Sequence, residues 1–259
     1  MNPLKLAALL APLLVMGCAT VETRTTGTQS PAAEGGVRLA RASLDGGDSG
    51  AAITLFQQVL KKSPEDYEAR LGLGDAFVQA GENERARAAY AEAVRRRPAA
   101  LEPLLGLGRV ALVKREFGEA EKRFGEARAL APDDGRVLRG LGAAYDLQGR
   151  HGEAQVLYRK ALALHPEDSA ARSNLGLSLA LSGDPRQAVN VLLDIAATPS
   201  APIQARQNLA LAYGMIGNDQ AAESVLTSDL NRTAISNNLG YYRFLRGHKP
   251  AEPPAGTAP

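Results

Sequence analysis

The sequence contains no tryptophan, and aromatic residues make up only 5% of its 259 positions. A β-sandwich or barrel core draws on aromatic and β-branched side chains, whereas abundant Ala and Leu suit closely packed helices. Cysteine occurs once, at Cys18, which rules out an intrachain disulfide and any cysteine-rich metal site. The three histidines, His151, His165 and His248, have no spacing that sets two of them on one helix face beside a carboxylate, and they read as loop and surface residues. Net charge is scarce too, at a formal +2. The densest basic run, Arg95-Arg96-Arg97, stands directly before Pro98 at an expected helix end, where cations complement the helix dipole. A nucleic-acid binder would concentrate its basic residues in a stripe, so no nucleic-acid partner is expected. No P-loop, dinucleotide fingerprint or nucleophile elbow occurs, and Asp133-Asp134-Gly135 lacks the downstream ligands of a calcium loop. Catalytic residues, a metal and a cofactor are all expected to be absent. What the chain does have is 45% hydrophobic against 22% charged residues, enough apolar material for a sizeable core.

The first 17 residues differ from the rest. Lys5 precedes an apolar run from Leu6 to Met16, shorter than the about 20 residues of a spanning helix and typical of a signal peptide. The run closes with Val15-Met16-Gly17-Cys18, which resembles the lipobox of bacterial lipoproteins: an aliphatic residue three before the cysteine and a small one directly before it. The resemblance implies cleavage after Gly17, acylation of Cys18 and a stable membrane anchor, since several acyl chains add about 0.8 kcal/mol per buried methylene. Cleavage removes Lys5 and leaves 29 basic against 28 acidic side chains. Ala19 stands where Asp would mark retention in the inner membrane, which implies the periplasmic face of the outer membrane. Residues 18–35, rich in Thr, Ser, Gly and Ala, are expected to form a flexible tether.

The body repeats itself. Ala52, Ala86, Ala120, Ala154, Ala188 and Ala222 follow one another at a step of 34, with Phe56, Tyr90, Phe124, Tyr158, Leu192 and Leu226 in the same register. Small residues recur at Gly74, Gly108, Gly142, Gly176 and Ala210, and prolines at Pro64, Pro98, Pro132 and Pro166. The period and residue types resemble the tetratricopeptide repeat. The resemblance implies an all-α solenoid over residues 36–247, about six helical hairpins in a right-handed superhelix. In each unit the small residue and the alanine let two helices approach, the aromatic or Leu fills the space between units, and proline stops the second helix. Gly47, Gly81, Gly149, Gly183 and Gly217 share the position of a left-handed helix end, with Arg115 in the third unit. That substitution is expected to weaken one turn. The fifth unit lacks its proline and has Pro199 and Pro202 nearby, so its exit is expected to differ. Asn238-Leu239-Gly240 follows Asn208-Leu209-Ala210 after 30 residues. A final helix over about 233–247 is therefore expected to cover the open end, followed by a disordered Pro-rich tail over 248–259.

In such arrays the first helices line a concave surface that holds peptides or helices. Directly before the central Leu stand Gly72, Gly106 and Gly140, then Asn174, Asn208 and Asn238. The glycines suggest an open floor for a bulkier element. A ladder of Asn side chains, each both donor and acceptor, can bond a peptide backbone, and the resemblance supports this; the same side chains can equally cap local backbone or face water. Leu177 and Leu211, one turn on, would add apolar contact.

The stretch Arg206-Gln207-Asn208-Leu209-Ala210-Leu211-Ala212-Tyr213-Gly214, with Asp229-Leu230, Asn238-Leu239-Gly240-Tyr241-Tyr242 and Leu245-Arg246, resembles the tail of the TadD-type tetratricopeptide lipoproteins of tight-adherence (Flp) pilus systems. That resemblance implies a non-enzymatic, pilotin-like role whose protein partners are the secretin or another pilus subunit. An envelope scaffold that recruits outer-membrane assembly or cell-wall enzymes is the alternative.

Overall fold

The 34-residue register becomes a run of antiparallel helix pairs. The computed structural model describes residues 31–198 and 201–247, and among them it contains thirteen helices and no strand. Six hairpins follow in order: α1 (Pro31–Asp45) with α2 (Ser49–Lys62), α3 (Tyr67–Gln79) with α4 (Asn83–Arg96), and α5 (Leu101–Val113) with α6 (Phe117–Leu130). The second half adds α7 (Gly135–Asp146) with α8 (His151–Leu164), α9 (Ser169–Leu181) with α10 (Pro185–Ala196), and α11 (Ile203–Ile216) with α12 (Asp219–Leu226). A solitary α13 (Arg232–Gly247) closes the stack. Each odd-numbered helix touches the next odd-numbered one, while the even-numbered helices of hairpins do not touch one another. The odd helices therefore line the inside of the superhelix and the even ones its outside.

Local signals explain the boundaries. Asp48, Asp66, Asp134, Asp168, Asp184 and Asn218 accept hydrogen bonds from the first free backbone N–H groups of the helices they precede. The hairpin turns are left-handed at all five expected glycines, with φ from 76° to 96° at Gly81 and Gly217 respectively. Arg115 adopts the same conformation, φ 60°, so the third hairpin keeps its turn at the cost of a strained non-glycine residue.

The packing follows the small-large alternation. The six alanines in register have no exposed surface, and Phe56, Tyr90, Phe124, Tyr158, Leu192 and Leu226 are fully buried between units. Gly72, Gly106 and Gly140 are not an open floor. A Cβ on Gly106 would lie 2.6 Å from Cζ of Tyr90, and Gly72 and Gly140 abut the rings of Phe56 and Phe124 in the same way. Each is the seat of an aromatic ring from the preceding hairpin, which corrects the expectation of a space for a bulkier element there.

One end differs from the expected plan. Helix α1 starts at Pro31, inside the segment expected to be a tether to residue 35. Proline fits a first helical turn, and Ala33, Val37 and Ala40 bury one face of the helix in the first core cluster. At the fifth unit, α10 ends at Ala196 and α11 begins after Pro202. Inner helices α9 and α11 meet more extensively than the inner helices before them. Leu192 stands there in place of an aromatic ring and lets the backbones come closer. At the far end α13 buries Ile235, Leu239 and Tyr242, and the Tyr242 ring occupies the space that a Cβ on Gly214 would need. No helix of the described residues is long and apolar enough to cross a membrane. Cys18 and the tail over 248–259 lie outside the described residues.

Candidate functional site: the concave face

Along the inner helices one register position reads Arg41, Asp75, Arg109, Ala143, Leu177 and Leu211, with Tyr241 at its place in α13. The charges at the start are paired: Arg41 with Glu68 at 2.8 Å and Arg109 with Asp75 at 3.7 Å. From α7 onward the position carries no charge. A parallel column, Val113, Leu147, Leu181 and Met215, leaves apolar surface open to solvent, with Val113 65%, Leu147 52% and Leu181 41% exposed. At the Arg41 register position the concave face thus changes from ion-paired to apolar between its two halves.

The three asparagines have different surroundings. Asn174, on α9, makes no side-chain hydrogen bond among the described residues, and it lines a hollow of about 220 Å³ between α7 and α9. Leu177 lines the same hollow, with Ala143, Leu147 and Leu181 as further apolar wall. Asn208 instead spends its amide on the neighbouring unit, donating to the backbone oxygen and the hydroxyl of Ser173, both at 3.1 Å. The Leu192-mediated approach of α9 and α11 brings these groups within reach. Asn238 donates at 2.9 Å to the carbonyl of Ala234, one turn back on its own helix. The ladder is therefore not uniform: Asn174 is open, and Asn208 and Asn238 each have an internal bond. Leu211 is half-buried and packs against the Ala210, Leu226 and Tyr242 cluster.

Spacing alone missed the group at the base of the hollow. Asp146, at the end of α7, accepts a hydrogen bond from the Ser178 hydroxyl at 2.6 Å and from the Tyr158 hydroxyl at 3.0 Å, and meets the His151 ring at 2.8 Å. Those contacts tie α7, α8 and α9 together. His151 is thus a junction residue, not the loop residue expected from its position. The available clue was Tyr158 itself, because a buried phenol needs an acceptor; Tyr90 likewise donates to Asp75 at 2.6 Å. Burial first and the Asp146 carboxylate second push the Tyr158 phenol well above its ordinary pKa, and burial and Asp75 do the same to Tyr90. Both remain protonated donors at neutral pH. Although Ser178, His151 and Asp146 converge, the serine hydroxyl donates to the carboxylate and not to the imidazole. The nucleophile–base pair that acyl transfer requires is not formed.

The C-terminal motif has a structural reason. Arg206 on α11 forms a two-pronged pair with Asp229, at 2.7 and 2.6 Å, and donates to the carbonyl of Ala201 at 2.7 Å. Arg243 and Arg246 of α13 pair with Asp219 at 2.7 and 3.3 Å, and Arg246 donates to the carbonyl of Gly214. These bonds hold α12, the following loop and α13 onto α11.

Tetratricopeptide-repeat family models match residues 37–100, 99–167 and 147–205 in succession. The chain belongs to the tetratricopeptide-repeat family. No curated protein matches its sequence. Among solved structures, this tetratricopeptide-repeat chain is similar to Pseudomonas aeruginosa pilF, with TM-score 0.68 and 18% identity over 84% of this chain and 98% of that one. It is also similar to a chain of the APC/C hetero-tetramer Cut9-Hcn1, with TM-score 0.72 and 20% identity over 81% of this chain and 42% of that one. A third likeness is to YrrB, described as a tetratricopeptide-repeat protein with an unusual peptide-binding site, with TM-score 0.53 and 21% identity over 70% of this chain and 96% of that one. At these identities the likeness is one of fold. Repeat membership makes the chain a scaffold for protein–protein interaction.

Proposed function

We propose that this protein is a lipid-anchored lipoprotein of the outer membrane that holds protein partners on its concave face and assists assembly of a tight-adherence (Flp) pilus. In this reading it acts like a pilotin, binding the secretin or another pilus component during targeting. The observation that carries partner binding is the solvent-open apolar and amide surface of α7 and α9, uncovered by any element of the described chain. The anchor rests on the lipobox-like Val15-Met16-Gly17-Cys18. The pilus assignment rests on the resemblance of residues 206–246 to the TadD-type lipoproteins, with the fold likeness to pilF in keeping with it.

The test is affinity capture from detergent-solubilised outer membranes with the full chain anchored through Cys18, followed by mass spectrometry. Recovery of a secretin or pilus subunit is the expected result. Recovery of cell-wall or barrel-assembly proteins alone would replace the pilus role with that of a general envelope scaffold.

A further inference from the structure

We propose that the hollow between α7 and α9 is the anchor point of the concave face. It takes one bulky apolar side chain, Leu, Met or Phe, from an uncharged extended segment of a partner protein, while Asn174 bonds that segment's backbone. This rests on the concave face being the binding face, and adds where on it the partner is held and by what chemistry.

Size decides the occupant first. At about 220 Å³ the hollow is smaller than the pockets of about 300 Å³ and above that enclose whole small molecules, and it is the right order for a single large side chain. Its rim is apolar and wet: Leu147 and Leu181 stand 52% and 41% exposed on either side, so an inserted side chain gains burial for itself and for both leucines. Charge decides the partner's character. The register positions that carry Arg109 and Asp75 in earlier units carry Ala143 and Leu177 here, and beyond them Leu211 and Tyr241. A charged segment would be desolvated along this stretch without a counter-charge. The one carboxylate in the wall, Asp146, has its oxygens engaged by Ser178, Tyr158 and His151. Asn174 completes the site with a donor and an acceptor that no internal group uses, matching the two hydrogen-bonding groups of one extended residue.

The location is specific to one junction. At the three preceding junctions the position of Asn174 is a glycine seated on an aromatic ring. At the next, Asn208 is bonded to Ser173.

The probe is a terminally blocked seven-residue peptide of Gly, Ser and Thr with one central Phe, titrated calorimetrically into the full chain beside versions with Ala, Asp or Lys at the centre. The Asn174 side-chain amide resonances are followed in parallel. The Phe peptide is expected to bind about tenfold or more tightly than the Ala peptide, in line with burial of one aromatic side chain, and to shift the Asn174 signals. The Asp and Lys peptides are expected to bind no better than the Ala peptide. Filling the hollow with Ala143→Phe is expected to abolish the preference for Phe; Asn174→Ala, which removes an amide with no internal hydrogen bond, is expected to weaken all the peptides severalfold. No binding by the Phe peptide, equal binding of the charged peptides, or an unchanged preference in Ala143→Phe would each overturn the inference. Capture of a membrane partner by Ala143→Phe as efficiently as by the native chain would overturn it too while leaving the partner-binding role intact. Phe-selective binding with no partner recovered from membranes would support the hollow and count against the assembly role.

Discussion

At the residue scale the stack depends on glycines that face rings. Alanine gains about 1 kcal/mol over glycine in helix propensity, but at Gly106 its Cβ would meet the buried Tyr90 ring at 2.6 Å, and displacing a packed side chain costs about 1–3 kcal/mol. Gly106→Ala is therefore expected to lower stability by about 1 kcal/mol in urea unfolding. Gly125→Ala, in α6 with nothing within 4 Å, is expected to raise it by a similar amount; equal shifts at both sites would contradict the seating of the ring. Arg115 is a separate case. Its left-handed φ of 60° costs a side-chain-bearing residue about 1–2 kcal/mol, partly offset by the extra chain entropy of an unfolded glycine. Arg115→Gly should raise stability by about 0.5–1 kcal/mol, and a loss would show that the arginine contributes a contact of its own. The left-handed position was legible from its glycines in the other repeats. The role of Gly72, Gly106 and Gly140 was not, because register says which way a position faces from its own helix and nothing of the Phe56, Tyr90 or Phe124 ring that arrives 16 residues earlier.

At the scale of elements, polar junctions hold helices in fixed relation. Asp146 serves α7, α8 and α9 at once, and Ser178 is fully buried. Asp146→Ala leaves the Ser178 and Tyr158 hydroxyls without their acceptor, at about 1–3 kcal/mol for each buried unsatisfied group. It should cost clearly more than an exposed substitution such as Glu167→Ala in the same unfolding assay. The Arg206–Asp229 pair locks α11 to the loop before α13, and the Arg206 hydrogen bonds hold the Asp229 carboxyl below its ordinary pKa. A depressed carboxyl stabilises the fold above the unfolded pKa of about 3.9, and the contribution is lost as pH falls through the lower folded value. Asp229→Asn is thus expected to lower the melting temperature at pH 7, with the gap closing as both proteins are taken towards pH 2. A gap independent of pH would mean that the pair acts by shape alone. The helices themselves were readable from the 34-residue period and the closing helix from the 30-residue step. The bond from Asn208 to Ser173 was not, because it depends on how closely α9 and α11 approach once Leu192 replaces a ring.

At the scale of the whole molecule, a stack in which each hairpin touches only its neighbours gains stability unit by unit and leaves its inner face free to vary. Here that freedom is used asymmetrically, with ion pairs lining the first half and apolar and amide groups the second. The period made the concave face legible; its uneven character depended on which Asn side chains were already bonded. The central claim is that partners are held on the inner face. Its most direct test places a photoreactive benzoyl-phenylalanine at Leu177, on inner helix α9, or at Val156, on outer helix α8 and 65% exposed, in the full chain. Irradiation is expected to join a partner protein to the Leu177 position and not to the Val156 position. Adducts from Val156 alone, or equal adducts from both, would contradict binding on the concave face.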